Sequence, residues 1–251
     1  MIVDCHVHSD WTWPSLGGVV RQGNKKDLKA YAKSLGIDRL CVSSVKAIEY
    51  DFVEGNSDLL ALMKELPDLI WGQCMLNPRF GDLALEEFDR CVVRGGMIGL
   101  GEIYPVLPLW RADEASFFPV MERVTKHRVT ALIHADPLEA IYNLADRFPD
   151  AYIIMAHMGG GGGLQGITGP IYEAKRFDNL YLDTGSSHFE SNMIEEAVRV
   201  VGSDRVIFGT DWPLLEPNAQ IQKVKSSKIS EEDKRLILGE NMARLVRRRA
   251  V

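Results

Sequence analysis

The sequence is short of the features that would send it to a membrane, a secretory pathway or a nucleic acid. No apolar stretch approaches the roughly 18 residues that a membrane helix needs. The N-terminus lacks the basic start and apolar run of a signal peptide. Cationic excess is also missing: 29 Lys and Arg against 35 Asp and Glu give a net charge of −6. That balance argues against a protein whose main task is gripping nucleic acid or an anionic membrane, because both need a basic face. The one basic run, Arg247-Arg248-Arg249, reads as a solvated helix end favoured by the helix dipole. Cysteine is sparse, and none of Cys5, Cys41, Cys74 and Cys91 forms a C-x-x-C pair. A chain of 251 residues can bury a sizeable core without disulfide staples, so the four read as reduced thiols. A cytoplasmic location is the expectation. No stretch rich in Pro, Gly or Ser divides the chain, and no repeat is evident, so residues 1–251 read as one domain.

What the sequence does contain is alternation. Short runs rich in Val, Ile and Leu recur at 1–5, 39–45, 69–76, 97–103, 129–133, 151–156, 180–183 and 205–208, as expected of strands buried on both faces. Amphipathic stretches separate them at 24–35, 57–66, 83–93, 113–127, 137–148, 164–176, 190–201 and 231–249. Strand alternating with helix implies parallel βαβ units. Eight units closing on themselves predict an α/β fold of the (β/α)8 TIM-barrel type, somewhat distorted, with an open doubly wound sheet as the other arrangement.

Five of the six histidines fall at or just after the end of a predicted strand, the face on which barrel enzymes build their sites. Only His127 falls elsewhere, and it reads as surface or structural. His6 and His8 are two apart on the first strand, so both side chains point the same way and can meet one metal. His134 ends the fifth strand, His157 the sixth, Asp211 follows the eighth, and Glu102 lies in the fourth. A buried imidazole or carboxylate without a partner costs several kcal/mol, and a divalent cation is a partner for all of them at once. Taken singly, a strand-end His is more often structural and an Asp after Gly-Thr more often a cap. Six such positions on one face make a shared site the better reading.

These residues sit in an ordered set: Val3-Asp4-Cys5-His6-Val7-His8, Leu132-Ile133-His134-Ala135-Asp136, Met155-Ala156-His157-Met158-Gly159-Gly160, Asn179-Leu180-Tyr181-Leu182-Asp183-Thr184, Val206-Ile207-Phe208-Gly209-Thr210-Asp211-Trp212-Pro213, and Ile237-Leu238-Gly239-Glu240-Asn241-Met242-Ala243-Arg244-Leu245. Over nearly its whole length the chain resembles the amidohydrolase superfamily, and most of all its amidohydrolase-2 branch of metal-dependent barrel hydrolases and decarboxylases. The resemblance implies that His6, His8, His134 and Asp211 bind the metal, and that Asp211 takes the proton from a metal-bound nucleophile. It makes His157 either a second-metal ligand or an acid/base or oxyanion-polarising group. Glu102 departs from that branch. Gly101-Glu102-Ile103 is similar to the strand-four carboxylate of TatD-like nucleases, where a Glu helps to hold two metals, so the expected count is one or two ions. No Lys occupies that strand, which leaves no carboxylated-lysine bridge.

Imidazoles with carboxylates suit Zn²⁺, with Mn²⁺, Fe²⁺ and Co²⁺ as alternatives. A metal-activated water with Asp211 as general base points to hydrolysis of a C–N or C–O bond (amide, lactone or ester) in a small, carboxylate-bearing molecule. Non-oxidative decarboxylation on the same scaffold is the alternative. A TatD-like nuclease or a non-catalytic metal-binding barrel stand behind it. Arg79 lies on the right face to hold a substrate carboxylate. Trp11, Trp13, Trp110 and Trp212 follow predicted strands and are candidates for pocket walls, and His188 follows the seventh. Residues 159–163, all glycine and followed by no phosphate-loop motif, read as a mobile loop that lets backbone approach the site. The expected partner is a small molecule, with no nucleic acid and no membrane. Barrels of this type often dimerise, and the sequence leaves a homodimer open.

Overall fold

The computed structural model describes residues 1–10, 23–106, 109–160 and 168–250. Eight parallel strands follow one another in sequence order around a (β/α)8 barrel. They are β1 Val3–Ser9, β2 Arg39–Ser44, β3 Ile70–Cys74, β4 Gly99–Ile103, β5 Thr130–Ile133, β6 Tyr152–Met155, β7 Leu180–Asp183 and β8 Val206–Ile207. The ring closes between first and last: the Cys5 amide donates to Phe208 O at 2.9 Å, Asp211 N to His6 O at 2.9 Å, and His8 N to Trp212 O at 2.8 Å. Among the described residues, no helix is long and apolar enough to cross a membrane.

Each crossover carries helix around the outside. The helices are α1 Lys25–Leu35, α2 Val45–Glu49, α3 Phe52–Glu65, α4 Asp82–Phe88, α5 Phe118–His127, α6 Leu138–Arg147, α7 Thr168–Ala174, α8 Met193–Val201, α9 Pro217–Lys225, α10 Glu231–Arg235 and α11 Asn241–Arg247. Local chemistry sets their ends. Asn24 caps α1 in a reciprocal capping box with Asp27, and Gly36 closes it in the left-handed conformation. Ser230 accepts from Asp233 N at the start of α10, as its sequence context predicts. The single helix expected over 231–249 is three segments, because a π-helical turn at Leu236–Glu240 separates α10 from α11. The triple arginine that follows is not simply solvated: Arg248 lies over the Tyr152 ring and Arg249 donates to Gly96 O at 3.2 Å.

Two layers of apolar packing result. Inside the ring, Val3, Cys5, Cys41, Ile98, Leu132, Ile154 and Ile207 form a small central cluster; a larger one fills the space between strands and helices. Side chains should alternate between these layers along a strand. In β1 they do so only until Cys5: Val3 and Cys5 face inward, yet Val7 belongs to the outer layer. The pairing explains it. Asp4 pairs with Leu40 and Val7 with Val42, so β1 spends one extra residue, a β-bulge, that inverts its phase. The same happens in β4, where Leu100 pairs with Ala131 and Ile103 with Ile133. These two shifts turn His6 and His8 on one strand, and Glu102 on another, toward the barrel axis.

The base of β1 is pinned by a buried network. Asp4 accepts hydrogen bonds from the Tyr31 hydroxyl at 2.5 Å, the Thr210 hydroxyl at 2.6 Å, Thr210 N at 3.0 Å and His6 N at 3.1 Å. Burial pushes the Asp4 carboxyl up to about 7 against the pull of these donors. Tyr31→Phe removes one donor from a fully buried carboxyl group, and a loss of about 2 kcal/mol is expected. Urea unfolding checks it: the midpoint should fall with the slope unchanged. An unmoved midpoint would mean that the network adds nothing to stability.

Candidate metal centre

The site lies at the C-terminal mouth of the barrel and is built from five strand ends. His6 on β1 donates from Nδ1 to Asp183 Oδ2 at 2.7 Å, which fixes its tautomer and leaves Nε2 as the acceptor. That Nε2 is buried and has no hydrogen-bond partner. It stands 3.3 Å from Glu102 Oε2 and 3.6 Å from Asp211 Oδ1. His8 brings Nε2 to 3.1 Å from the same Asp211 oxygen and 3.6 Å from Glu102 Oε2, while its Nδ1 meets the Ser43 hydroxyl at 3.0 Å.

Glu102 faces both ways. Its other oxygen, Oε1, is 2.9 Å from His134 Nδ1 and 3.3 Å from His157 Nε2. His157 sits just beyond β6 with left-handed backbone (φ 57°), and its Nδ1 donates to Gly185 O. Its ring stacks on that of His6 with centroids 5.0 Å apart. Close approach behind the cluster requires Gly209: a Cβ there would come within 2.1 Å of Asp183 Oδ1.

The electrostatics of the cluster ask for positive charge. Burial lowers the proton affinity of His6 and His157, yet neighbouring carboxylates outweigh it: Glu102 and Asp183 hold His6 well above the usual imidazole range, and Glu102 and Asp211 lift His157 to about 9. Burial likewise pushes Glu102 up, but His6, His134 and His157 hold it well below the ordinary carboxylate range. An orphaned, buried imidazole nitrogen within a set of N and O donors fits a divalent cation, which would take the place of those protons. Three overlapping groups here have ligand atoms mutually close enough to share an ion: His6, His8 and Glu102; Glu102, His134 and His157; and His6, His157 and Asp183, in which His6 Nδ1 is already taken by Asp183. Asp211 borders the first.

In front of the cluster is a cavity of about 120 Å³, walled by Val45, Ile48, Tyr104 and Leu214 and floored by Glu102, His134, His157 and Asp211. It adjoins one of about 270 Å³ that shares Tyr104, His134, His157 and Asp211 and reaches Asp136 and Ser187. The Tyr104 ring meets the edge of His134 at 4.5 Å.

His6, His8, Glu102, His134, His157 and Asp211 are thus brought together. Other expected contributors are not. Arg79, the expected carboxylate clamp, is tied to Glu114 by two bonds of 3.0 Å and lines neither cavity. Trp212 stacks flat on Tyr31 with centroids 4.7 Å apart instead of walling the pocket. Trp110 is buried against Phe117. His188 pairs with Glu190 at 3.1 Å and borders neither cavity. Trp11, Trp13 and residues 161–163 of the glycine run lie outside the described residues. Asp183 is the important residue that the strand-end reading passed over. It holds His6 in place, and also accepts from His157 N at 3.3 Å and Gly185 N at 2.8 Å. The signal was there: it is a polar residue ending the apolar run of β7, as His134 ends β5.

Comparison with known proteins agrees with this architecture and corrects the expected chemistry. The family model described as "Amidohydrolase" (Amidohydro_2) matches residues 3–248. Gamma-resorcylate decarboxylase of Polaromonas sp. (strain JS666 / ATCC BAA-500) is 26% identical over 240 residues, covering 72% of each chain. The structure of a dihydroxybenzoic acid decarboxylase from Polaromonas sp. JS666, with bound manganese and the inhibitor 2-nitroresorcinol, superposes with a TM-score of 0.73 at 19% identity over 98% of this chain and 96% of that one. That of 5-carboxyvanillate decarboxylase from Sphingomonas paucimobilis gives 0.76 at 16% identity, covering 98% of both. At such identities the structural likeness speaks for the fold. The expectation of a hydrolase cleaving a C–N or C–O bond is overturned by the sequence relative, a decarboxylase. Metal ligands alone do not name the bond that is cleaved.

Proposed function

The chain belongs to the amidohydrolase family of enzymes, and on that premise we propose that it is a metal-dependent, non-oxidative decarboxylase of a hydroxylated single-ring aromatic acid. The observation that carries this reading is the cavity of about 120 Å³ with apolar walls that ends on the histidine–carboxylate cluster. Dry cavities of about 150 Å³ hold a benzene ring, so the space suits one ring with its carboxylate turned to the floor.

His6, His8 and Asp211 with Glu102 Oε2 would hold one ion, and His134 and His157 with Glu102 Oε1 a second. The donors include two sets that meet at Glu102, which suits a pair of ions. Mn²⁺ and Zn²⁺ both suit such N/O ligands, and a relative binds manganese. When bound, the metal supplies the positive centre that holds the substrate's carboxylate and adjacent hydroxyl.

The residues of the chain do the rest. Val45, Ile48 and Leu214 clamp the ring and keep water from it. Asp211, whose Oδ1 faces His8, delivers a proton from its carboxyl group to the ring carbon that bears the carboxylate. The electron pair of the ring–carboxylate bond returns to the ring, CO₂ leaves, and Asp211 regains its proton from solvent. The net change is ring–CO₂⁻ plus H⁺ to ring–H plus CO₂. The test is incubation of manganese-loaded protein with 2,6-dihydroxybenzoate and other hydroxybenzoates. CO₂ and the matching phenol are expected in equal amounts, and no CO₂ from any of them overturns the reading.

A further inference from the structure

The mouth of the site carries charged groups that the reaction above does not use. Glu49 ends α2 and lines the ring-sized cavity beside Val45 and Ile48, yet its carboxylate is exposed on the rim and makes no hydrogen bond or ion pair among the described residues. The cation nearest in sequence, Lys46, is committed elsewhere, at 2.8 Å from Glu54 and 2.9 Å from Asp58. Asp136 lines the adjoining cavity. No Lys or Arg lines either cavity among the described residues. Tyr104 lines both cavities, and Glu49 shares the ring-sized one with it.

Among the described residues, then, the wall away from the cluster is apolar and the rim is acidic. Specificity arises both from contacts that favour one ligand and from repulsion of another. We propose that Glu49 is the specificity-determining residue of this mouth: it accepts a hydrogen bond from a hydroxyl or amine on the ring end distal to the metal cluster, and it repels a second carboxylate placed there. The preferred substrate is therefore a ring monocarboxylate with a donor opposite its carboxylate. This inference rests on the proposed aromatic-acid site, and binding can be measured apart from turnover.

The experiment is calorimetric titration of manganese-loaded protein with 2-hydroxybenzoate, 2,4-dihydroxybenzoate, 4-amino-2-hydroxybenzoate and 2-hydroxyterephthalate. The wild type should bind the two ligands with a distal donor about tenfold more tightly than 2-hydroxybenzoate, and the dicarboxylate most weakly. Glu49→Leu should erase the donor preference. Glu49→Lys should invert the order, binding the dicarboxylate at least about tenfold more tightly than the wild type does. Metal content and far-UV circular dichroism show whether each variant is folded and loaded, and Glu49 sits exposed on a helix end. Wild-type and variant proteins that bind the series in the same order overturn the role of Glu49 while leaving the ring site intact. A loaded wild type that binds no member of the series overturns both.

Discussion

Glu102→Gln is expected to lower bound metal from two equivalents to one and to cut kcat by about a thousandfold, close to 4 kcal/mol of barrier. Among the described residues the carboxylate is the one group whose two oxygens reach both histidine pairs, at 3.3 and 3.6 Å on one side and 2.9 and 3.3 Å on the other. An amide keeps the shape but has a single good ligand oxygen and no charge. Its NH₂ would point at one pair, and since His6, His8 and Asp211 still offer three donors, the His134–His157 side should empty first. Elemental analysis after dialysis, with circular dichroism to confirm the fold, measures the stoichiometry. Two equivalents retained with normal turnover would remove Glu102 from its bridging role.

Asp211→Asn should separate chemistry from binding. The amide oxygen can still face the metal, so metal content and KM should stay within a few-fold of the wild type. The proton donor is lost, and positioned proton transfer is worth about 10²- to 10⁴-fold in rate. The same residue should govern the reverse direction, in which CO₂ adds to the ring carbon and the ring proton passes to Asp211; with the phenolic product and CO₂ held with enzyme in D₂O, it is read as exchange of ring hydrogen for deuterium. Both rates should fall together. If Asp211→Asn turns over normally at saturating metal, the proton comes from elsewhere in the cavity, and His157 is the next residue to substitute.

The barrel could be read from the sequence because parallel strands covered on both faces have little choice but continuous apolar runs. The run at 180–183 coincides with β7, and 129–133 and 151–156 overshoot β5 and β6 by a residue or two. Helix starts were harder. α3 begins at Phe52, several residues before the expected 57, because Asp51 caps it and a Gly55-Asn56-Ser57 stretch of poor helix formers hides its first turns. α9 went unread, since Pro217 opens it and its buried residues include Gln220 as well as Ile221 and Val224. The convergence of the histidines with Glu102 and Asp211 was legible for a physical reason, that an ionisable group ending a buried strand needs a partner. Arg79 and Trp212 misled because a place on the right face does not name the partner. Glu114 and Tyr31, which claim them, are far away in sequence and meet them only through tertiary packing. The hydrolase expectation failed at a different level, for the same ligands can serve a C–C bond cleavage.

The extra residues in β1 and β4 have a consequence for how chains of this kind can diverge. Between Asp4 and Val7, and between Leu100 and Ile103, one strand takes three steps where its neighbour takes two, so one residue could be lost at either point while the flanking pairs keep their register and their faces. Removing Cys5 would leave His6 and His8 turned to the axis, and removing Gly101 would leave Glu102 there. A relative one residue shorter in either spacing could therefore carry the same cluster, provided that the lost residue is not one of its members.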